Sequence, residues 1–320
     1  KKSLPETVIK LTGEIYQKGE KDKNSPQMLK AYMWRMRYRD MLTPDSLYTN
    51  LNGLELWAKQ TDQPMDRAVL HSLIAEIYSM YAFNNQWQLR QRAEIVGEAP
   101  SADMREWTAN MFVEKVRTNV REAMADSVLL LNTSSRTYIP FVELGETSEY
   151  YHHDMLHLLG SRGVDALNNV MGLDKDSVVQ TSVENVYLGM LDAYEKAGMD
   201  DGYVLCKLDY LNWKRNSDPT FVPYRAPQNL IGLTQDPYLA GLDKLKADFK
   251  SHDVCAEVYL AKARYAVEKQ QQVMALQICD EAIRLYPDYK RINALKNLKQ
   301  EILNPALYVR ADQVVYPDTD

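Results

Sequence analysis

Residues 254–287 read VCAEVYLAKARYAVEKQQQVMALQICDEAIRLYP, and this stretch decides the fold. Small residues stand at Ala263, Ala275 and Ala282, where two helices of a hairpin must cross, and small side chains let helices close to contact distance. Tyr259 supplies an aromatic to the first helix and Cys279 a large apolar position to the second. Ala266 stands where an aromatic would close the first helix, and Pro287 follows the second. In this register Cys255, at the start of the first helix, and Cys279, late in the second, lie toward the same end. They could be neighbours, bonded or not.

With Ala275 on the small position that opens a second helix, this spacing is that of a tetratricopeptide hairpin. Similar helical stripes run upstream. Leu4, Val8, Leu11 and Ile15 share one helix face, as do Leu29, Tyr32, Met33 and Met36 after Pro26. Pro44 precedes a third helix through Leu47, Leu51, Leu54 and Trp57, and Pro64 a fourth with Leu70, Leu73, Ile74, Ile77, Tyr78 and Tyr81. From Ala102 to Leu131 the stripe Ala109, Val113, Val116, Val120, Met124, Val128 and Leu131 predicts the longest helix. Further helices are expected around Tyr150 to Leu167, Ser177 to Lys196 and Gly202 to Lys214.

The fold class that follows is all-α, a tetratricopeptide-like α-α superhelix of antiparallel helix hairpins with a short extended C-terminal tail. Residues 1–303 form the helical region, as two lobes of about 1–131 and 149–303 joined by 132–148. Pro219, Pro223, Pro227 and Pro237 mark residues 218–237 as a proline-rich arm packed on the helices. Residues 304–320 alternate like the first strand of a β-domain lying beyond this chain, after a stop at Asn304 and Pro305.

Composition narrows the function. The chain of 320 residues is 45% hydrophobic and 26% charged, enough to bury a substantial core, and its net charge of -6 gives no general attraction to nucleic acid or anionic membranes. No apolar run is long enough to span a bilayer, and the start at Lys1 without Met predicts a processed or trimmed piece. The three cysteines form no Cys-x-x-Cys pair. With 21 tyrosines and 14 methionines against five phenylalanines, large adaptable helix contacts are expected.

The candidate chemistry is sparse. In His152-His153-Asp154-Met155-Leu156-His157, the histidines His153 and His157 stand at i and i+4 and could face one metal, as in the zincin His-Glu-x-x-His pattern. Asp154 is one methylene short of the glutamate base, and no third ligand is evident, although His71, His252 or a distant carboxylate could serve in principle, so the expectation is a helix face with polar histidines and no bound metal. In Trp34-Arg35-Met36-Arg37-Tyr38-Arg39 the arginines spread around the helix, which favours ion pairs and stacking between hairpins over nucleic acid. Tyr150, Tyr151, Tyr187 and Tyr194 could line a sugar or peptide groove, but their helical spacing suits a core. Asp174/Asp176 and Asp200/Asp201 stand at helix starts, where capping explains them. No nucleophile elbow or phosphate loop is present, and no enzymatic activity or cofactor is expected.

The segments Leu4-Pro5-Glu6-Thr7 through Ile15-Tyr16-Gln17-Lys18, Pro26-Gln27-Met28-Leu29-Lys30-Ala31 and Asn304-Pro305-Ala306-Leu307 give the chain its likeness to a known family. In their order and spacing it resembles the amino-terminal helical region of bacterial alpha-2-macroglobulin-like envelope proteins. The resemblance implies a periplasmic or surface-exposed protease-inhibitor-like protein in which β-sandwich domains follow. It also implies partners that are other proteins or those following domains. The Cys-Gly-Glu-Gln thioester of many such proteins is absent at Cys206-Lys207, Cys255-Ala256 and Cys279-Asp280, so no trapping chemistry falls on these residues. The expected role is a noncatalytic scaffold and protein-interaction region, with a glycan- or peptide-capturing envelope receptor as the alternative and a metal hydrolase resting on the histidines alone. Nucleic acid, membrane insertion and a small-molecule ligand are not expected.

Overall fold

The computed structural model describes residues 3–43, 46–92, 101, 103–145, 154–173, 177–217 and 236–304. Among them are fourteen α-helices and no β-strand, so the fold is all-α. The chain packs as two compact units, Lys1–Tyr210 and Leu211–Asp320.

In the first unit, α1 (Ser3–Lys21) and α2 (Ser25–Leu42) form a hairpin. The side chain of Asn24 caps α2 by accepting from the Gln27 backbone at 3.1 Å, and Pro26 sits in the first turn, where its missing N–H costs nothing. Lys23 takes a left-handed φ of 51° to turn the chain. Thr12 and Gly19 are buried, Tyr16 lies 6.3 Å from the Tyr32 ring of α2, and a Cβ at Gly19 would stand 2.9 Å from Met28 Cγ. The aligned stripe of α1 therefore points outward, with Leu4, Leu11 and Ile15 exposed and Val8 half-buried. Small residues on the neighbouring face allow the closer approach and win the packing.

α3 (Ser46–Gln60) joins this hairpin through Trp57, whose ring lies 5.9 Å from Tyr16 and 6.0 Å from Tyr32. The Arg35 guanidinium stacks 5.2 Å from each tyrosine ring, and Trp34 stacks on Tyr38. The arginine–aromatic run of α2 is thus used for stacking within and between helices.

The centre of the unit is α4 (Pro64–Asn84), which packs against α3, α6 (Ala109–Ala123) and α8 (Met155–Val170). It buries Val69, Leu70, Ile74, Tyr78 and Ala82. At its start, buried Asp66 accepts the hydroxyls of Ser25 at 2.5 Å and Tyr138 at 2.6 Å, which ties α2 and the 3-10 turn Ser135–Tyr138 to α4. Between α4 and α6 lies the short α5 (Gln86–Gln91).

α4, at 21 residues, is the longest described helix. The long helix expected from Ala102 to Leu131 is instead broken, because α6 ends at Ala123 and α7 (Ser127–Asn132) restarts one turn later. Asp126 makes the break by accepting from the Leu129 backbone at 2.9 Å, so a new N-cap competes with continuation.

α9 (Val178–Ala197) and α10 (Asp200–Ser217) follow α8 close to the expected bounds. α8 packs on α4, α6 and α9, with Gly160 against Met190 of α9; a Cβ at Gly163 would stand 2.9 Å from Val120 of α6. The division into lobes expected at 132–148 is not seen, since α8, from the far side of that connection, packs into the same core as α4 and α6. The boundary falls inside α10 instead, at Tyr210 and Leu211.

In the second unit, α12 (Cys255–Glu268) and α13 (Gln272–Leu285) form the hairpin read from residues 254–287. Tyr259, Ala263, Ala275, Cys279 and Ala282 are all fully buried. α11 (Pro237–Asp248), opened by an Asp236 cap, packs on α12, and α14 (Ile292–Leu303) packs on both α12 and α13. All three cysteines are buried free thiols, so Cys255 and Cys279 are not bonded to each other. Burial pushes the Cys279 thiol up to about 11. The proline-rich arm apart from Asp236 and Pro237, and the tail beyond Asn304, lie outside the described residues.

Candidate binding groove

The described residues place the sequence-derived metal candidates as follows. His157 lies in the first turn of α8, and His153 lies outside the described residues. Asp154 is the N-cap of α8, accepting from the His157 backbone at 2.7 Å and from the Tyr194 hydroxyl at 3.0 Å on both carboxylate oxygens. Its carboxylate is therefore turned inward to hold α8 and α9, away from the role of the zincin base. The His157 Nε2 lies 3.2 Å from Ser161 Oγ, and burial pushes the ring pKa down to about 4. No group of three His, Cys, Asp or Glu side chains among the described residues could hold a metal ion. Tyr187 and Tyr194 are core residues, and Tyr150 and Tyr151 are outside the described set. Asp200 and Asp201 occupy the first turn of α10.

A site with more structure lies between α3, α4 and α6, as a cavity of about 420 Å³ opening to the surface. Ala58 of α3, Ile74 of α4, Met111 of α6 and Trp107 just before α6 make it apolar. Trp107 is held from several sides. Its Nε1 donates to the Ser101 carbonyl at 2.6 Å, its carbonyl accepts from Arg92 at 2.6 Å, and its ring stacks on Tyr78 at 5.4 Å.

The polar rim is likewise tied down. Glu55 accepts from Lys115 at 2.9 Å and from the Tyr78 hydroxyl at 2.8 Å. Burial alone would raise the Glu55 carboxyl, but these two hydrogen bonds and the Lys115 and Lys59 charges outweigh it and hold the group below its ordinary value. Lys115 also lies 5.4 Å from the Trp107 ring centroid and 5.6 Å from that of Tyr78. Across the cavity, His71 Nδ1 and Asn119 Oδ1 are 2.8 Å apart, and Asn119 Nδ2 donates to the Lys115 carbonyl at 2.8 Å.

A second cavity of about 510 Å³ lies along the other side of α6, bounded by α8 and α9. Arg117 stands at its rim, bonded to Ser182 of α9 at 2.9 Å and to Glu114 at 2.8 Å. Gly189, in the middle of α9, also lines it, and a Cβ there would meet open space.

Of the polar groove residues, sequence reasoning named His71 alone, and then as a possible third metal ligand rather than as part of a groove. Glu55, His71, Lys115 and Asn119 come from three helices distant in the chain, and each alone reads as an ordinary polar helix position. Trp107, standing before the stripe of α6, was the single available hint. No known protein family, characterised protein or solved structure matches the chain. No described helix is long and apolar enough to cross a membrane.

Proposed function

We propose that this chain is a noncatalytic helical scaffold that engages polypeptide through the groove between α3, α4 and α6. Within this reading its hairpins are tetratricopeptide-like. They serve as the helical interaction region of a protease-inhibitor-like, alpha-2-macroglobulin-like protein of the bacterial envelope. The observation that carries the proposal is the groove, whose apolar floor is framed by side chains already held by one another. Lys115 with Glu55 and Tyr78, and His71 with Asn119, lose little freedom when a partner arrives, and preorganisation of this kind favours binding. The volume suits one large side chain or a short segment.

The resemblance supplies the parent class. Two of the three segments that carry it fall in α1 and at the start of α2, which are scaffold rather than groove. Under this reading the partner is another protein or a following domain of the same parent.

Capture of a glycan is the second reading, because an aromatic ring beside Glu55 and Asn119 is a common sugar platform. Trp107 weighs against it: with 7% of its surface exposed, it offers little ring face for a sugar to cover. Selection of displayed peptides and of a glycan array against the protein and its Met111→Arg variant separates the two. Peptides that bind the parent and lose the variant are expected. Glycan binding without peptide binding overturns the proposal, as does peptide binding indifferent to Met111→Arg.

A further inference from the structure

Resting on the groove reading above, we infer that the cavity between α3, α4 and α6 selects an aromatic side chain that carries its own hydrogen-bond donor, tryptophan or tyrosine, from a partner polypeptide. The inference follows from a chain of hydrogen bonds that assigns the tautomer of His71.

The Lys115 carbonyl can only accept, so the Asn119 side-chain atom facing it at 2.8 Å must be the amide nitrogen. That leaves Asn119 Oδ1, an acceptor, facing His71 Nδ1 at 2.8 Å. Nδ1 must then carry the proton. In the neutral ring Nε2 consequently has none and presents a lone pair. Nε2 forms no hydrogen bond to any described residue, and the His71 ring lines the cavity.

The cavity thus offers His71 Nε2 as an acceptor beside an apolar lining of Ala58, Ile74, Trp107 and Met111. Of its other polar groups, Glu55 takes both Lys115 and Tyr78 on Oε1, and Asn119 is spent on both of its ends. A ligand that fills the space with carbon alone covers Nε2 and leaves it unsatisfied, which is unfavourable. A ligand with an indole N–H or phenol O–H fills the same space and satisfies it. Met111, which α6 contributes to the lining, is a flexible side chain that adapts to a flat ring. A volume of about 420 Å³ is ample for one such ring.

The test titrates N-acetyl-tryptophanamide, N-acetyl-tyrosinamide and N-acetyl-phenylalaninamide into the full chain at mildly alkaline pH, followed by NMR at the Met111 and Thr118 methyl groups. The two donors are expected to bind about five- to tenfold more tightly than phenylalaninamide, the effect of one hydrogen bond, and His71→Phe should erase that difference. If all three bind alike and shift the groove methyls, the groove reading stands and this inference falls. A preference that survives His71→Phe also overturns it. If none shifts those methyls, the groove reading itself fails. Should His71→Phe not fold, the long-range proton–nitrogen spectrum of the parent decides: a proton on His71 Nε2 overturns the inference, and a proton on Nδ1 supports it.

Discussion

His157 carries the clearest pH signature of any single residue. Its folded pKa of about 4 lies below the ordinary value of 6.5, so the unfolded chain binds the extra proton between those two values. Stability from this ring is fully present above 6.5, falls as pH drops toward 4, and declines by at most about 3 kcal/mol in all. Denaturant midpoints of the parent and of His157→Gln across that window check this, and the variant should show a flatter profile. Ala275 makes a second test. It is fully buried where α12 and α13 cross, so Ala275→Leu should overpack the hairpin and destabilise it by roughly 1 to 3 kcal/mol by chemical denaturation. Gly189 should respond in the opposite direction. A Cβ there meets open space in a helix interior, and Gly189→Ala should raise stability by roughly 0.5 to 1 kcal/mol. A fall in melting temperature for Gly189→Ala would show that the helix needs the glycine for packing.

Among the helices, the most informative feature is the break between α6 and α7. The apolar stripe from Ala109 to Leu131 keeps helical spacing through it, which is why periodicity reads a single helix. A cap is a matter of one side chain, and the 2.9 Å bond from the Leu129 backbone to Asp126 decides the break without disturbing the stripe. Asp126→Ala should cost about 1 kcal/mol, measured by thermal or urea denaturation, since the first turn of α7 loses its acceptor. No change would place the cause of the break in packing around the turn. α1 teaches the complementary lesson. Its Leu4, Leu11 and Ile15 share a face as the spacing requires, yet that face is exposed, because Gly19 on another face permits a close contact with Met28 of α2. Periodicity says which residues share a face. It does not say which face is buried when two are available.

Across the whole molecule, removal of the C-terminal tail is the direct test. α14 buries Ile292, Leu295 and Leu298, whereas Leu303 at its end is exposed. Cutting the chain after Leu303 removes no described core residue, so melting temperature and helical content should stay nearly unchanged. A large fall would make the tail integral to the second unit and take away the basis for reading it as the first strand of a following domain. The sequence by itself determined the all-α class and most helix positions, because spacing, proline starts and small crossing residues are local and act within a turn or a hairpin. The hairpin of α12 and α13 was legible down to its buried alanines for that reason. The bond of Asp154 to Tyr194, the packing of α8 onto α4 and α6, and the groove were decided only by tertiary structure. Glu55, His71 and Lys115 meet there from separate helices. The state of each, including the tautomer of His71, depends on partners that no spacing within one helix reveals.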